Sequence, residues 1–317
     1  MLFAAMDAPR FPLMRLPVAC SQNVLCILRL TQLFEISLAS KKSKDLVRSL
    51  KIKTSEFSLH LYGSYLSIQL RFCSRNEESN LKSYLIYYIS YSHEMDERTF
   101  LNHLKFIFNT EKITVYFGWN FELFDFKSIL EGRQDVESIN FLNLNEGEGQ
   151  RILNIFKPSK IYMYIVTKPR DLMIQNVDDL RANEMNISLE DLLIMNIKNL
   201  ETRCSMVPAQ VLNRFLKLWT RGSNLQLERL ELDFQVDGGF TNEEIFNRIK
   251  TTQKTTVRYF KLVSGTRKIT GGLDISRFDG TMATILLRRL GGFINWIDFE
   301  FEILVWHDHC IAKETDR

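Results

Sequence analysis

The first fifty residues place apolar side chains at helical spacing in three short segments, and this stretch constrains the fold more than any other. Pro17 closes a short leader, because proline has a fixed φ and no amide donor. Ser21, Thr31 and Ser40 are candidate N-caps, each ahead of apolar residues that recur on one helical face. Three helices this short bury too little surface among themselves. The sequence therefore predicts a three-helix unit whose remaining apolar face meets a partner.

The same stretch resembles the F-boxes of the large nematode families. The resemblance rests on Phe11-Pro12-Leu13, Leu16-Pro17, Val24-Leu25, Leu28 and the run FEISLASKKSKDLV at 34–47. One departure is Ser43, which stands where many F-boxes have a tryptophan. The resemblance implies binding to the Skp-type adaptor of a Skp–cullin–F-box ubiquitin ligase, and through it to a cullin. The residues implied for this contact are Phe11, Pro12, Leu13, Leu16, Pro17, Val24, Leu25 and Leu28. The alternative is an ordinary helical hairpin packed on the rest of the chain.

Composition argues against several partners. The formal net charge of +3 over 317 residues is close to balance, so it gives no reason to expect a nucleic acid. The five cysteines are scattered and form no Cys-x-x-Cys pair, which is typical of small buried side chains in a reducing compartment. We see no signal peptide and no apolar run of the roughly 18 residues that a membrane span requires. A cytoplasmic or nuclear protein without a membrane partner is therefore expected.

A β-rich connector is predicted to follow the helices. Residues 66–72 alternate apolar and polar side chains, which is typical of a half-buried strand, and Gly63-Ser64 offers a hairpin turn before it. The predicted elements are strands at Leu59–Leu61, Leu66–Phe72, Tyr84–Tyr91 and Ile113–Phe117, with a helix at Met95–Phe108.

Beyond Trp119 the pattern alternates between strands and helices, which favours parallel strands joined by right-handed crossovers. The predicted strands are Ser138–Leu142, Lys160–Tyr164, Leu192–Asn196 and Leu227–Leu232, and the predicted helices are Gly149–Phe156, Asn176–Ala182 and Pro208–Trp219. The last helix should bury Leu212, Phe215 and Trp219, leave Lys217 and Arg221 in water, and end at Gly222. The spacing is similar to a leucine-rich repeat but too irregular for a regular horseshoe. Two further strands are predicted in the tail, within Thr256–Val263 and Phe293–Trp306.

A second resemblance lies within this alternating region. Residues Leu212–Trp219, Arg221–Asn224 and Leu227–Leu230, with Ser188–Leu193 upstream, resemble the type 2 F-box-associated domain, over about 186–234. In nematode F-box proteins this domain is taken to be the part that binds the target.

The sequence thus predicts a mixed chain of the α+β and α/β classes. Its expected divisions are a tail at 1–9, a three-helix F-box at 10–52, the β-rich connector at 53–118 and an irregular leucine-rich-repeat-like, F-box-associated α/β domain at 119–317.

No motif indicates catalysis. His307-Asp308-His309-Cys310 groups potential metal ligands, but it lacks the paired spacing of a structural zinc site. Glu146–Gly149 lacks the Lys-Ser/Thr of a phosphate-binding loop, and no Gly-x-Ser-x-Gly elbow occurs. We therefore expect a protein that is not an enzyme and uses no cofactor or metal.

The favoured interpretation is a substrate adaptor of a ubiquitin ligase, with an unidentified protein as its target. The alternative is an interaction scaffold whose degenerate F-box no longer engages a ligase. Target binding is expected in connections at the carboxyl ends of the strands, through Lys168, Arg170, Lys198 and Arg203. Solvated loops without a partner are the competing interpretation of these residues.

Overall fold

The computed structural model describes residues 13–62, 65–72, 83–89, 96–120, 126–142, 146–166, 170–236, 241–262, 265–291 and 297–312. The chain forms two compact units, Met1–Val136 and Glu137–Arg317. Both contain helices and strands, so the prediction of a mixed α and β fold is confirmed. Among the described residues, no helix has the length and apolar character needed to cross a bilayer.

The first unit opens with three short helices, as predicted. A single 3-10 turn at Leu13–Arg15 precedes them. The helices are α1 (Val18–Cys26), α2 (Leu30–Leu38) and α3 (Lys41–Ser49), and the elements that follow are β1 (Thr54–Tyr62), β2 (Tyr65–Phe72), β3 (Ser83–Ile89), α4 (Glu97–Ile107), β4 (Ile113–Phe117) and α5 (Phe126–Leu130).

One of the three predicted N-caps is confirmed. The Ser40 side chain accepts a hydrogen bond from the Ser43 amide at the start of α3. The other two predictions are wrong. Ser21 lies inside α1, where its hydroxyl donates to the Leu13 carbonyl at 3.0 Å, and α2 begins one residue before Thr31. Pro17 starts α1 instead, because its fixed φ suits entry into a helix.

The strands of the first unit lie in the order β4-β1-β2-β3. The predicted hairpin is confirmed, since β1 and β2 are antiparallel, although its turn at 63–64 lies outside the described residues. β1 also pairs in parallel with β4, and β3 pairs with β2. The predicted strands and helix of the connector are therefore present.

A buried polar contact joins α2 to α4. Ser37 and the His103 ring lie 2.7 Å apart, oxygen to Nε2, beside the edge-to-face pair of Phe34 and Phe100. Burial, with a contribution from Lys44, lowers the pKa of His103 to about 4, so the ring is neutral at pH 7. The helices are thus fixed to the unit by a directional contact as well as by apolar packing.

The second unit builds on five parallel strands. Their order continues into antiparallel strands as β5-β6-β7-β8-β9-β15-β14-β13-β10. The strands are β5 (Val136–Phe141), β6 (Lys160–Val166), β7 (Val177–Met185), β8 (Ile197–Cys204), β9 (Arg229–Val236), β10 (Thr252–Gln253), β11 (Arg258–Leu262), β12 (Gly265–Ile269), β13 (Leu273–Ser276), β14 (Met282–Gly291) and β15 (Ile297–Val305). The helices are α6 (Glu146–Ile155), α7 (Arg170–Met173), α8 (Leu189–Ile194), α9 (Ala209–Thr220) and α10 (Asn242–Phe246).

The predicted parallel alternation over 138–234 is confirmed, with two elements exchanged. The segment Leu192–Asn196 was predicted as a strand, but it holds the end of helix α8, which Ser188 and Asp191 start as a capping box. The segment Asn176–Ala182 was predicted as a helix, but it forms most of strand β7. Its charged sequence has low strand propensity, and pairing on both sides with β6 and β8 overrides that preference.

Helix α9 lies in the region that resembles the type 2 F-box-associated domain. Leu212, Phe215 and Trp219 are completely buried, as predicted. The prediction for Lys217 is wrong, because this side chain is half-buried and donates to Asn213 Oδ1 at 2.6 Å. The helix ends as predicted before Gly222, whose φ of +106° favours glycine, and where a Cβ would lie 2.5 Å from the Phe278 ring.

A two-stranded hairpin, β11–β12, packs against the sheet of the second unit. Phe260 and Ile269 of this hairpin form a buried cluster with Leu286, Leu304 and Cys310. The predicted tail strands are confirmed as β11 and β15. The hairpin therefore covers part of one sheet face.

Candidate protein-binding surfaces

Helix α1 and the residue that follows it present an apolar stripe beside the buried face of the helix. Ser21 and Leu25 are buried at i and i+4 and define the inner face. Cys20, Val24 and Ile27 follow at i, i+4 and i+7, and Ile27 is 83% exposed. An aliphatic side chain this exposed beside other apolar side chains marks a surface that gains free energy when a partner covers it. We call Cys20, Val24 and Ile27 the α1 stripe.

The structure places the predicted adaptor-binding residues in different environments. Phe11 and Pro12 lie outside the described residues. Leu13, Leu16, Val24 and Leu28 are partly buried, and Pro17 is exposed. Leu25 was predicted to lie on the face that meets the adaptor, but it is 0% exposed, so this prediction is corrected. The side of α1 that carries Ser21 and Leu25 is buried, and Leu25 belongs to the core. Cys20 and Ile27 were not predicted as part of this surface, although their helical spacing from Val24 indicates that they lie on the same side as Val24.

A groove of about 570 Å³ lies over β6 to β9 in the second unit. Tyr162, Arg181, Glu201 and Glu231 are aligned across the four neighbouring strands by the parallel register. Residues two positions further along each strand extend this face towards the carboxyl ends, namely Tyr164, Asn183, Arg203 and Asp233. The groove thus combines two aromatic side chains with both signs of charge.

An ion-pair network lies under the groove. Arg229 donates from Nε to Glu302 at 2.8 Å and from Nη1 to Glu201 at 3.1 Å, and its Nη2 contacts Glu231. Glu302 is 0% exposed and also accepts from Arg267 of the β11–β12 hairpin at 2.6 Å. These pairs restrain Glu201 and Glu231, the two carboxylates of the network that line the groove, because both contact the Arg229 guanidinium.

Two of the predicted target-binding residues, Lys198 and Arg203, lie near opposite ends of one strand. Lys168 lies outside the described residues, and Arg170 is exposed on α7. Lys198 and Arg203 were placed in a connection, but both lie in strand β8, so that prediction is corrected. Lys198 pairs with Asp178 at 2.5 Å near the start of the strand. Arg203 lies about five residues further on, near the carboxyl end, and lines the groove.

Within the described residues, the potential metal ligands at 307–310 make hydrogen bonds and packing contacts. His309 Nε2 lies 2.9 Å from Glu228 Oε1, and His307 Nε2 lies 3.0 Å from the Leu227 carbonyl. Cys310 belongs to the buried cluster under the hairpin, and burial raises the pKa of its thiol to about 12. These contacts account for the positions of Glu228, His309 and Cys310, whose potential ligand atoms lie within 4.8 Å of one another.

Comparison with known proteins identifies the central part of the second unit. Residues 168–232 match the family FBA_2, described as F-box associated. The chain is also 22% identical over 293 residues to a Caenorhabditis elegans protein, "F-box associated domain-containing protein sdz-33", covering 87% of this chain and 93% of that protein. No solved structure matches. These similarities agree with the predicted resemblance to an F-box-associated domain, and the matched residues include Arg181, Glu201 and Arg203 of the groove.

Proposed function

We propose that this chain is a non-catalytic substrate adaptor of a Skp–cullin–F-box ubiquitin ligase. The helices α1 to α3 act as the F-box that binds the Skp-type adaptor, and the second unit holds a target protein in the cytoplasm or nucleus. The observation that carries the proposal is the α1 stripe, an exposed apolar surface on a three-helix unit in a chain that also matches an F-box-associated family. Such an adaptor needs no catalytic residues, because it raises the effective concentration of target lysines near the ligase.

Replacing Ile27 with aspartate is expected to weaken binding to the Skp-type adaptor by at least about tenfold. Burial of an isoleucine contributes about 1.5–3 kcal/mol, which corresponds to roughly 10- to 150-fold in affinity. Stability should be nearly unchanged, since Ile27 is exposed. Titration of the purified chain with the adaptor, together with thermal unfolding of each variant, measures both effects.

Thr31→Asp is the matched control, because Thr31 is exposed on α2 and the change adds the same charge outside the stripe. It should bind as wild type does. Equal affinity of wild type and Ile27→Asp would show that the stripe is not the docking surface. A wild-type chain that fails to bind any Skp-type adaptor would favour the alternative, an interaction scaffold with a degenerate F-box, for which buried Ser43 in place of tryptophan is the motivating feature.

We further propose that the target binds in the groove over β6 to β9. Tyr164 is 51% exposed and offers an apolar body with a polar tip, which is the chemistry enriched in binding hot spots. The two rows of side chains lie on paired strands, so their positions are fixed before a target arrives.

The combined change Tyr164→Ala and Arg203→Glu is expected to remove true targets while keeping the Skp-type adaptor bound. Proximity labelling under proteasome inhibition, compared between wild type and variant, lists the proteins that are lost. Arg170→Glu provides the control, because Arg170 is exposed on α7 and does not line the groove. If Arg170→Glu alone loses the same proteins, the target binds at the connections between the strands and not in the groove.

A further inference from the structure

A second cavity, of about 450 Å³, is strongly basic and lies apart from the groove residues. Four cations line it, Lys217 and Arg221 from the end of α9 and Arg248 and Lys250 from the segment after α10. The hydroxyl residues Thr220 and Ser276 complete its polar lining, and no carboxylate lines it among the described residues. In that part of the chain none of the four cations forms an ion pair, although most arginines of this unit's sheet do.

Asn213 builds the cavity by holding its two sides together. Its amide donates to the Ile245 carbonyl at 2.7 Å and to the Asn247 carbonyl at 3.0 Å, which ties the segment after α10 to α9. Its oxygen accepts from Lys217 Nζ at 2.6 Å and orients that ammonium. Arg248 has a φ of +59°, a backbone conformation that is costly for a residue with a Cβ. The arrangement therefore brings like charges together at some cost in backbone strain and repulsion.

Capping of helix α9 does not explain the cations at its end. Cationic side chains often lie near a helix C-terminus because they interact with the last carbonyls. Here the Lys217 carbonyl accepts from Thr220 Oγ1 at 2.9 Å, the Leu218 carbonyl from the amides of Arg221 and Ser223, and the Thr220 carbonyl from the Phe278 amide. These carbonyls are already satisfied, and Arg248 and Lys250 come from a different segment.

We propose that this basic cavity is a binding site for a phosphate monoester. A phosphate monoester carries up to two negative charges and three acceptor oxygens, which matches several converging cations and the Ser276 hydroxyl better than a single carboxylate does. The forked guanidinium groups of Arg221 and Arg248 suit phosphate oxygens geometrically. A nucleic acid would require an extended basic stripe, whereas these four cations line one cavity. The site does not depend on the adaptor role proposed above.

Isothermal titration at constant ionic strength tests the site with two probes, inorganic phosphate and a peptide bearing one phosphoserine. Wild type should bind both saturably at one site. The double change Arg221→Gln and Arg248→Gln should weaken both by at least about tenfold, since each loses a charge-assisted contact. Arg214→Gln removes one charge from an exposed position of the same helix that does not line the cavity, and it should bind as wild type does.

Two comparisons complete the experiment. Tighter binding of the phosphopeptide than of inorganic phosphate identifies a phosphorylated protein side chain as the source, and equal binding identifies a small phosphate ester. The proposal is overturned if wild type binds neither probe, if the unphosphorylated peptide binds equally well, or if Arg214→Gln weakens binding as much as the double change. The thermal unfolding temperature should not fall in any variant, because Arg214, Arg221 and Arg248 are exposed.

Discussion

Replacing Arg229 with methionine is expected to lower the free energy of unfolding of the second unit by about 3–5 kcal/mol. Arg229 is only 11% exposed and contacts three carboxylates, those of Glu201, Glu231 and Glu302. Glu302 is completely buried, so losing Arg229 leaves a charge that water cannot solvate and that, among the described residues, pairs only with Arg267 and Arg288. Methionine keeps most of the side-chain volume, and the loss therefore measures the charge rather than a cavity.

Arg181→Met is the matched control, because Arg181 lies on the same sheet face but is 43% exposed and pairs with Glu201 at 3.6 Å. An exposed pair of this kind contributes about 0–1 kcal/mol. Adding Glu302→Gln to Arg229→Met should recover part of the lost stability. Urea unfolding of the four proteins measures these differences, and equal losses in the two single variants would contradict a buried network centred on Arg229.

Much of the fold could be predicted because its periodic elements are long and regular. The alternation of Leu66–Phe72 and the helical spacing of Leu212, Phe215 and Trp219 each give one clear burial pattern, and the structure follows it. Short apolar runs carry less information. Leu192–Ile194 fits a buried strand and a buried helix equally well, and the decisive signal was the capping box of Ser188 and Asp191 upstream.

The binding surfaces were harder to predict because they depend on contacts between distant residues. The groove requires the register that aligns Tyr162 with Arg181 and Arg181 with Glu201. The pair of Arg229 and Glu302 joins residues 73 positions apart, and no local pattern reports such a contact. The run Leu227–Leu232 was predicted as a strand, but its sequence does not show which residues Arg229 and Glu231 would contact.

The basic cavity illustrates the same limit. The sequence indicated only that Lys217 and Arg221 lie on the polar side of α9. Their convergence with Arg248 and Lys250 depends on the Asn213 amide, which holds a segment more than thirty residues away. A tertiary hydrogen bond of this kind brings the two cations at the end of α9 and the two cations after α10 into one cavity.

Replacing Trp219 with alanine is expected to cost about 3–5 kcal/mol, which is typical of deleting a large aromatic side chain from a core. Trp219 is 0% exposed, and the Arg277 guanidinium lies 5.4 Å from its ring centroid. Hydrogen bonds to Asp279 at 3.0 Å and to Thr281 at 3.0 Å hold Arg277 in place, and the first of these lowers the pKa of Asp279. The alanine variant therefore loses apolar burial and a cation–π contact together.

Trp219→Phe keeps an aromatic ring and most of the volume, so it should cost markedly less than the alanine variant. Arg214→Ala on the exposed side of the same helix should change stability by no more than about 0.5 kcal/mol. Urea unfolding of the three variants ranks these losses. If Trp219→Ala keeps wild-type stability while target binding is lost, the side chain is a surface hot spot and the buried position described for it is wrong. If stability falls as expected, loss of target binding in the same variant carries no information about the interface, and only the exposed groove residues can test it.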